Sequence, residues 1–553
     1  MKKDDKAIDA ARYRLNEIEN DLVGELAAGR IGRREFLRHG AVLGLSVPFL
    51  SSLAGAFGLT AVAPRMARAA AAGGLIRVAC TVPAGAVDPV TVDDNGGLLM
   101  LHQTGEFLSI SGPDLVLRPH LAESWKPNGD GTVWTFKIRQ GVKFQNGKTM
   151  TAEDVAASID RLADPKNSSN ALSAFKGVLS KGGAKKVDDD TVEFHLDTAN
   201  GNFPYLVSSD NYNAIIIPAD YAGDFEKTFI GTGPFKLDKY TPKVGASFVR
   251  NPDYWGPKAV PDRTEWSFYQ NMQAMVLALQ GNQVDIVSQV SAVGGEALLN
   301  DPSFQIISEK TSSHQQVHMR CDMAPFDDKR VRQAVALCLD RKQMVQGLFS
   351  GRSDIGNDSP FAPVFPSTDK SVPQREKDIA KAKQLLADAG HANGFTVKLT
   401  TEQYLEIPDY AVIIQNAVKA IGITIELNVE AQDAYYGKAV FGSSDWLDSV
   451  MGITDYGHRG VPNVFLNAPL KSDGTWNSAH FKNKDYDALV AQYIVASDLG
   501  TQRAVAKKIQ ELLLDETPVI FGYFYHYLTP AKKNVTGVPP VANRLFLSQA
   551  ALT

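Results

Sequence analysis

The chain has 553 residues, a net charge of −5 and 44% hydrophobic residues, a composition typical of a folded protein with more than one domain. Its 57 Lys and Arg residues are outnumbered by 62 Asp and Glu residues, which argues against a nucleic-acid-binding protein. The cysteines, Cys80, Cys321 and Cys338, lack the close spacing of a metal or redox motif. They leave open either one disulfide, for example between Cys321 and Cys338, or three buried thiols.

Residues 1–72 form a segment of a different kind. Arg33 and Arg34 precede Phe-Leu, then an uncharged stretch rich in Ala, Gly, Leu and Val, then small residues at A-x-A spacing. This order predicts an export signal that is cleaved near 69–72, and the arginine pair predicts the twin-arginine pathway. The alternative is an uncleaved membrane anchor over 41–63, which the glycines of that stretch disfavour.

Hydrophobic periodicity after this segment predicts alternating strands and helices. Strands are predicted at 75–81, 132–139, 191–196, 395–400 and 423–429. Helices are predicted at 98–108, from Thr151, at 327–337, at 379–389 and at 410–420. Such alternation is typical of βαβ units and predicts an α/β fold with parallel strands.

No catalytic motif stands out, because G-x-S-x-G, H-E-x-x-H and a G-x-G-x-x-G between strand and helix are all missing. His314 and His318 could begin a metal site, but no third ligand is identifiable, and their polar neighbours favour a surface strand. The aromatic residues between 521 and 527 alternate as in a strand and are expected to pack in the core, with pocket lining as the alternative for one face. We therefore expect no catalytic residues, no metal and no other cofactor.

Several motifs in fixed order resemble the peptide/nickel family of periplasmic solute-binding proteins, solute-binding protein family 5. They extend across nearly the whole chain after the signal, and together they are specific. They are LAESW at 121–125, DGTVWTF at 130–136, GTGPF at 231–235, RNPDYWG at 250–256, PFDD at 325–328 and AKAKQLLADAG at 380–390.

The resemblance implies an α/β fold of the two-lobed periplasmic-binding-protein type II class, with a hinge between the lobes and an extra small domain. Lobe I would combine 74–112, 229–318 and 522–553, the small domain would be 113–228, and lobe II would be 319–521. The implied protein is not an enzyme but the periplasmic solute-binding component of an ABC importer. It is expected to be a monomer that closes on its ligand and engages an inner-membrane permease, with the twin-arginine machinery as its export partner.

Peptide receptors of the family place an aspartate against the amino terminus of the ligand, and the matching residue is Asp455. The aromatic residue expected at Ile453 is missing, and the loop that follows is longer than usual, which puts an ordinary dipeptide in doubt. In that loop, His458 and Arg459 could face an anionic group of the ligand or could merely solvate the loop.

Three more candidates come from position. Glu402 and Tyr404 follow the strand predicted to end at Thr400, where open α/β sheets bind ligands. Glu402 could bind a cation, Tyr404 could stack or hydrogen-bond, and Trp446 is either a stacking platform or a core residue. A short peptide is the leading ligand, and an opine, a polyamine, an oligosaccharide or a metal chelate is the alternative. An exported hydrolase and a structural surface protein are both disfavoured.

Overall fold

The structure is a computed structural model that describes residues 8, 15, 17–43, 45, 47–57, 73–113, 115–496, 498–542 and 544–553. Its organisation is mixed α/β, and the two largest sheets combine parallel and antiparallel neighbours rather than the parallel pairing alone that βαβ alternation predicts.

Sheet A has seven strands, and its first strand along the chain, Leu75–Thr81, lies near the centre with a parallel neighbour on each side. This strand coincides with the predicted 75–81. Alternating burial places Val78 and Cys80 in the core beneath the sheet. The strand order is Phe304–Glu309, Tyr527–Lys532, Ile286–Val287, Leu75–Thr81, Arg263–Tyr269, Gly245–Arg250 and Phe235–Thr241.

Sheet B has five strands, three of them parallel, so that three carboxyl ends meet at one edge. The connecting helix, Ile407–Val418, buries its apolar face against the sheet. The strand order is Thr424–Glu430, Thr396–Glu402, Met451–Tyr456, His314–Met319 and Val519–Phe521. The strand predicted to end at Thr400 therefore extends two residues further and carries Glu402.

The prediction of a surface strand around His314 and His318 is wrong, because all six residues of His314–Met319 are buried. Burial disfavours the imidazolium form and lowers the pKa of both histidines to about 4. The His314 ring packs 4.6 Å from the Phe521 ring. Within the described ranges, no group of three or more His, Cys, Asp and Glu side chains could hold a metal ion.

Sheet C has four strands in the order Ala122–Pro127, Val133–Ile138, Thr191–His195 and Ala184–Asp188. The helix Ala152–Ala163 packs on it and begins at Thr151, whose backbone N–H donates to the Asp154 carboxylate over 2.9 Å. The strand and cap predictions in this region are confirmed.

The remaining elements join and cover these sheets. Two-stranded ribbons pair Ser109–Ser111 with Leu117–Pro119, Ser353–Ile355 with Tyr523–Tyr525, and Val535–Thr536 with Ala551–Leu552. Short 3-10 turns cover Pro165–Asn167 and Lys419–Ile421. The other helices are Glu17–Ala27, Arg33–Val42, Val47–Ala56, Asn95–Thr104, Leu172–Phe175, Phe203–Leu206, Phe225–Thr228, Met272–Gln280, Glu296–Leu299, Lys329–Leu337, Arg341–Phe349, Ile379–Asp388, Gln432–Tyr436, Asp445–Asp448, Asn463–Asn467, Lys484–Val495 and Leu499–Glu516.

Three helices differ from the prediction by two or more residues at an end. The helix predicted at 410–420 spans Ile407–Val418. The helix predicted at 98–108 starts earlier, because Asp94 caps its first turn, and it stops at Thr104 because Gly105 is extended. The helix predicted from 327 starts at Lys329, because the cap is the Asp328 carboxylate.

The cysteines and the N-terminal segment also bear on the sequence predictions. Cys80, Cys321 and Cys338 are free thiols, so the choice between one disulfide and three thiols is resolved against a disulfide.

None of the described helices is long and apolar enough to cross a membrane. The anchor considered over 41–63 and the cleavage region at 69–72 extend outside the described residues.

We expect Asp358→Ala to lower the free energy of unfolding by about 3–5 kcal/mol, because it leaves two buried guanidiniums unpaired. Asp358 is fully buried and accepts from Arg341 at 2.7 Å and Arg375 at 3.0 Å. Urea unfolding measures the change. The control is Glu376→Ala, which breaks an exposed pair with Lys342 and should change stability by less than about 1 kcal/mol. Equal effects of the two substitutions would contradict the prediction.

Candidate ligand site at the edge of sheet B

Three carboxylates meet where the parallel strands of sheet B end. Glu402 is the last residue of its strand, Asp455 is the penultimate residue of the neighbouring strand, and Glu406 immediately precedes the helix Ile407–Val418. The Asp455 backbone N–H donates to Glu402 Oε1 over 3.3 Å. Glu402 and Glu406 are buried and Asp455 is half-buried, so this edge concentrates acidic groups in a poorly solvated place.

The partners of these carboxylates are neutral. The Tyr436 hydroxyl and Gln432 Nε2 donate to Glu402 over 2.8 and 2.6 Å. The Tyr525 hydroxyl donates to both oxygens of Asp455, at 2.8 and 3.1 Å. The backbone N–H of Ala292 donates to Glu406 over 2.8 Å. No described cation neutralises any of the three carboxylates.

The uncompensated charge is visible in the pKa values. Burial, and then the neighbouring Glu402, hold the pKa of Asp455 well above its usual range. Burial also raises the pKa of Glu402, and it raises that of Glu406 to about 7. A positively charged group of a ligand would stabilise the ionised form of these carboxylates. The described surroundings of this edge therefore lack the positive charge that would stabilise its ionised form.

Asp455 is also tied to the two chain crossings between sheets A and B. One crossing connects Phe304–Glu309 to His314–Met319, and the other runs from Val519–Phe521 through Tyr523–Tyr525 to Tyr527–Lys532. Tyr525, the hydrogen-bond partner of Asp455, lies at the second crossing and donates its N–H to the Ser313 carbonyl of the first over 3.0 Å. The carboxylate thus contacts the strands on which any bend between the sheets depends.

Tyr404 lies beside the carboxylates, whereas Trp446 lies behind them. Tyr404 sits in the turn after Glu402, and burial together with the charge of Asp455 raises the pKa of its hydroxyl. Trp446 is only 5% exposed and packs edge-on against Tyr436, with ring centroids 5.2 Å apart. Trp446 therefore supports the tyrosine that holds Glu402 and lies one layer behind the carboxylates.

His458 and Arg459 are in contact with protein groups rather than with the three carboxylates. His458 Nδ1 accepts from the Ser312 N–H over 3.1 Å, and the Tyr212 hydroxyl donates to the His458 carbonyl. Arg459 places its guanidinium 4.2 Å from the centre of the Tyr212 ring and donates to the Asp210 carbonyl over 3.2 Å. The loop at 457–462 therefore joins sheet B to the segment around Tyr212.

Sequence reasoning did not identify Glu406, Asp210 or Arg544. Asp210 forms a buried ion pair with Arg544 at 3.3 Å, and Gly460 approaches so closely that a Cβ there would lie 1.7 Å from Asp210 Oδ2. Asp210 and Arg544 are far apart in the chain and belong to no motif, so only their proximity in the fold reveals them. Glu406 lies four residues after Glu402, so the strand-end argument could have included it. Tyr525 could have been found, because it belongs to the aromatic run for which one pocket-lining face was considered.

We expect ionisation of Glu406 to lower the free energy of unfolding by about 3 kcal/mol as pH rises from about 4.5 to about 7, and Glu406→Gln to remove this contribution. Because the buried His314 and His318 change stability in the opposite direction over this range, the test is the difference between Glu406→Gln and the wild type at each pH. Folded Glu406 keeps its proton up to about pH 7, while the unfolded carboxyl ionises near its ordinary pKa of 4.5. The folded state therefore binds more protons between these values. Urea unfolding at pH 5 and pH 8 measures the difference. Glu376→Gln, an exposed change of the same charge, should behave as wild type, and an unchanged pH dependence in Glu406→Gln would contradict the assignment.

Comparisons with known proteins identify the family of this chain. The middle region of bacterial extracellular solute-binding proteins, family 5, matches residues 116–509. Heme-binding protein A of Haemophilus influenzae is 27% identical over 443 residues, covering 73% of this chain and 78% of that protein. Di/tripeptide-binding protein 2 of Pseudomonas aeruginosa is 26% identical over 470 residues, covering 77% and 85%.

The fold has solved counterparts. The ABC transporter-associated periplasmic binding protein DppA of Helicobacter pylori, in complex with the peptide STSA, superposes with a TM-score of 0.75 at 22% identity. The superposition covers 87% of this chain and 98% of DppA, so the two-lobed type II fold expected from the motifs is confirmed. The chain belongs to family 5 of the bacterial extracellular solute-binding proteins, which are the solute-binding components of ABC importers and not enzymes.

Proposed function

We propose that this chain binds short peptides and that Asp455 receives the ligand's amino terminus. The observation that carries the proposal is the group of three uncompensated carboxylates where the parallel strands of sheet B end, with Asp455 hydrogen-bonded to Tyr525 at the hinge. An amino terminus supplies the positive charge that the site lacks. Closure of the lobes excludes water and strengthens that ion pair.

Relatives support a peptide without deciding it. Di/tripeptide-binding protein 2 is named for peptides, and DppA was solved with one, whereas heme-binding protein A is named for heme. The Glu402, Glu406 and Asp455 carboxylates, with Tyr404 beside them, also suit a polyamine, which needs several acidic groups and aromatic surface. A polyamine is therefore the second candidate. An opine, an oligosaccharide or a metal chelate has less support, because a group of three carboxylates with one tyrosine beside it does not specifically suit any of these ligands.

The domain assignment follows the sheets. Lobe I would comprise 74–112, 229–318 and 522–553, the small domain 113–228, and lobe II 319–521. His314–Met319 belongs to sheet B, so we place the first crossing at 310–313, slightly before the boundary at 318. We place the second crossing at His526, slightly after the boundary at 522. Bending there would open and close the cleft of a monomer that an inner-membrane permease recognises when closed.

The twin-arginine route is the proposed path to the periplasm, and it rests on Arg33 and Arg34 with the uncharged stretch that follows. The pair begins the helix Arg33–Val42. Periplasmic action also accords with a family of extracellular solute-binding proteins.

We expect Asp455→Asn to weaken binding of trialanine by about tenfold to a hundredfold, because a charge-assisted hydrogen bond to the ligand's ammonium is lost. Isothermal titration calorimetry measures the affinity. Acetyl-trialanine, which has no charged amino terminus, should bind the wild type as weakly as trialanine binds Asp455→Asn.

The matched control is Asp433→Asn, an exposed residue near the same edge, which should leave the affinity unchanged. Spermidine is titrated in parallel. Binding of spermidine without binding of any peptide would remove the peptide proposal and favour the polyamine. Equal affinity of Asp455→Asn and the wild type for trialanine would remove Asp455 from the site.

We expect Arg33→Lys together with Arg34→Lys to retain the precursor in the cytoplasm, because the twin-arginine machinery recognises the guanidinium pair. Cell fractionation and immunoblotting measure the distribution. Replacement of Arg30, which lies outside the pair, should leave export intact. Normal periplasmic delivery of the doubly substituted protein would exclude this route.

A further inference from the structure

Arg38, on the helix Arg33–Val42 of the N-terminal segment, is buried against the rest of the protein. The residue is 3% exposed. Its Nε donates to the Tyr205 hydroxyl over 3.1 Å, and its Nη2 donates to the Gly460 carbonyl. One guanidinium therefore contacts the proposed small domain through Tyr205 and the proposed lobe II through Gly460.

Aromatic rings complete the surroundings of this guanidinium. Its central carbon lies 5.3 Å from the Tyr205 ring centre and 5.8 Å from that of Phe365, both within the range of a cation–π contact. Tyr205 and Phe365 are almost fully buried. Such a site offers two flat faces and two neutral acceptors, a combination that suits a planar, weakly hydrated guanidinium better than a compact ammonium ion.

Asp210 adds a negative charge with spare capacity. It is buried, and its Oδ1 pairs with Arg544. Its Oδ2 has no hydrogen-bond partner among the described residues. The side chain lines a narrow cavity together with Tyr205 and Gly460, the residues that accept from Arg38. The charge of Arg38 helps to lower the pKa of Asp210, which burial raises. The carboxylate places one negative charge beside Arg38, in a cavity that Arg459 also lines and where Arg544 already pairs with Asp210.

The N-terminal helix holds Arg38 in place by contacts on both sides of it. The Trp125 Nε1 donates to the Ala41 carbonyl over 3.0 Å, and Arg34 donates to the Pro113 carbonyl. Phe36 and Leu37 are buried in the same apolar core as Trp125. The segment therefore presents Arg38 to the body of the protein in a defined position.

We infer that Tyr205, Phe365, Gly460 and Asp210 form a guanidinium-binding subsite that Arg38 occupies as an internal ligand while the N-terminal segment is attached. This inference rests on the proposed function in two respects, namely the removal of the segment and a peptide ligand. Cleavage would leave the Gly460 carbonyl without the donor it has here and would empty the space between the rings. The arginine side chain of a peptide is the ligand chemistry that fits, so that the mature protein would prefer arginine-containing peptides and the precursor would not bind them at this subsite.

The test uses the full chain with Arg38→Ala and methylguanidinium as the probe, measured by calorimetry and by the shift in melting temperature. We expect methylguanidinium to bind Arg38→Ala at least about tenfold more tightly than it binds the wild type, whose subsite is filled. Methylammonium should bind Arg38→Ala about tenfold more weakly than methylguanidinium, because it cannot stack or donate in a plane. Adding Tyr205→Phe should reduce the gain, since it removes one acceptor.

Equal binding of methylguanidinium to Arg38→Ala and wild type, or equal binding of methylguanidinium and methylammonium, would overturn the inference. If Arg38→Ala does not fold, Arg38→Gln keeps most of the side-chain stem, leaves the guanidinium position vacant and is measured in the same way. Trialanine is titrated against the same samples. If Arg38→Ala binds methylguanidinium more tightly than the wild type but does not bind trialanine, the subsite is retained and the peptide function is removed. If trialanine binds but methylguanidinium binding does not increase, the peptide function is retained and the subsite is removed.

Discussion

The hydrogen bond from the Tyr525 hydroxyl to the Asp455 carboxylate is the contact on which the rest of the site depends. Asp455 is the penultimate residue of a parallel strand of sheet B, and Tyr525 lies where the chain crosses back towards sheet A. One interaction thereby joins the half-buried Asp455 carboxyl to the strand that would bend if the lobes move as proposed. Under the proposed function, a ligand that pairs with Asp455 would act on the position of the proposed hinge, which would convert binding energy into closure.

Charge is distributed unequally around this contact. Glu402, Glu406 and Asp455 form an acidic edge without a cation, whereas His458 and Arg459 join Tyr212 and Asp210 in a second group of contacts some residues further along the chain. Under the proposed function, the acidic edge would favour a ligand with a positive charge. The second group connects sheet B to the segment around Tyr212, and Gly460 permits that close approach because it has no side chain.

The N-terminal segment shares this second group of contacts. Arg38 reaches Tyr205 and Gly460, so the residues predicted to direct export also pack on the folded body. Folding before export, which the twin-arginine route requires, gives such a segment the opportunity to fill a site of the protein that it accompanies. Export and ligand binding would then be coupled through one guanidinium, since the subsite becomes available only after the segment has left.

The sequence by itself determined the family and the two-lobed fold, because ordered motifs and the hydrophobic period are local properties of the chain. The motif resemblance proposes Asp455 as a site residue but predicts no strand around it. The sequence also placed Glu402 and Tyr404 at a strand end, since the strand pattern is readable over a few residues. Tertiary structure alone decided that His314 is buried, that the cysteines are thiols, and that Asp210 and Arg544 lie beside the candidate residues. The physical reason is that burial and charge neighbours are set by contacts between segments hundreds of residues apart, which no local pattern encodes.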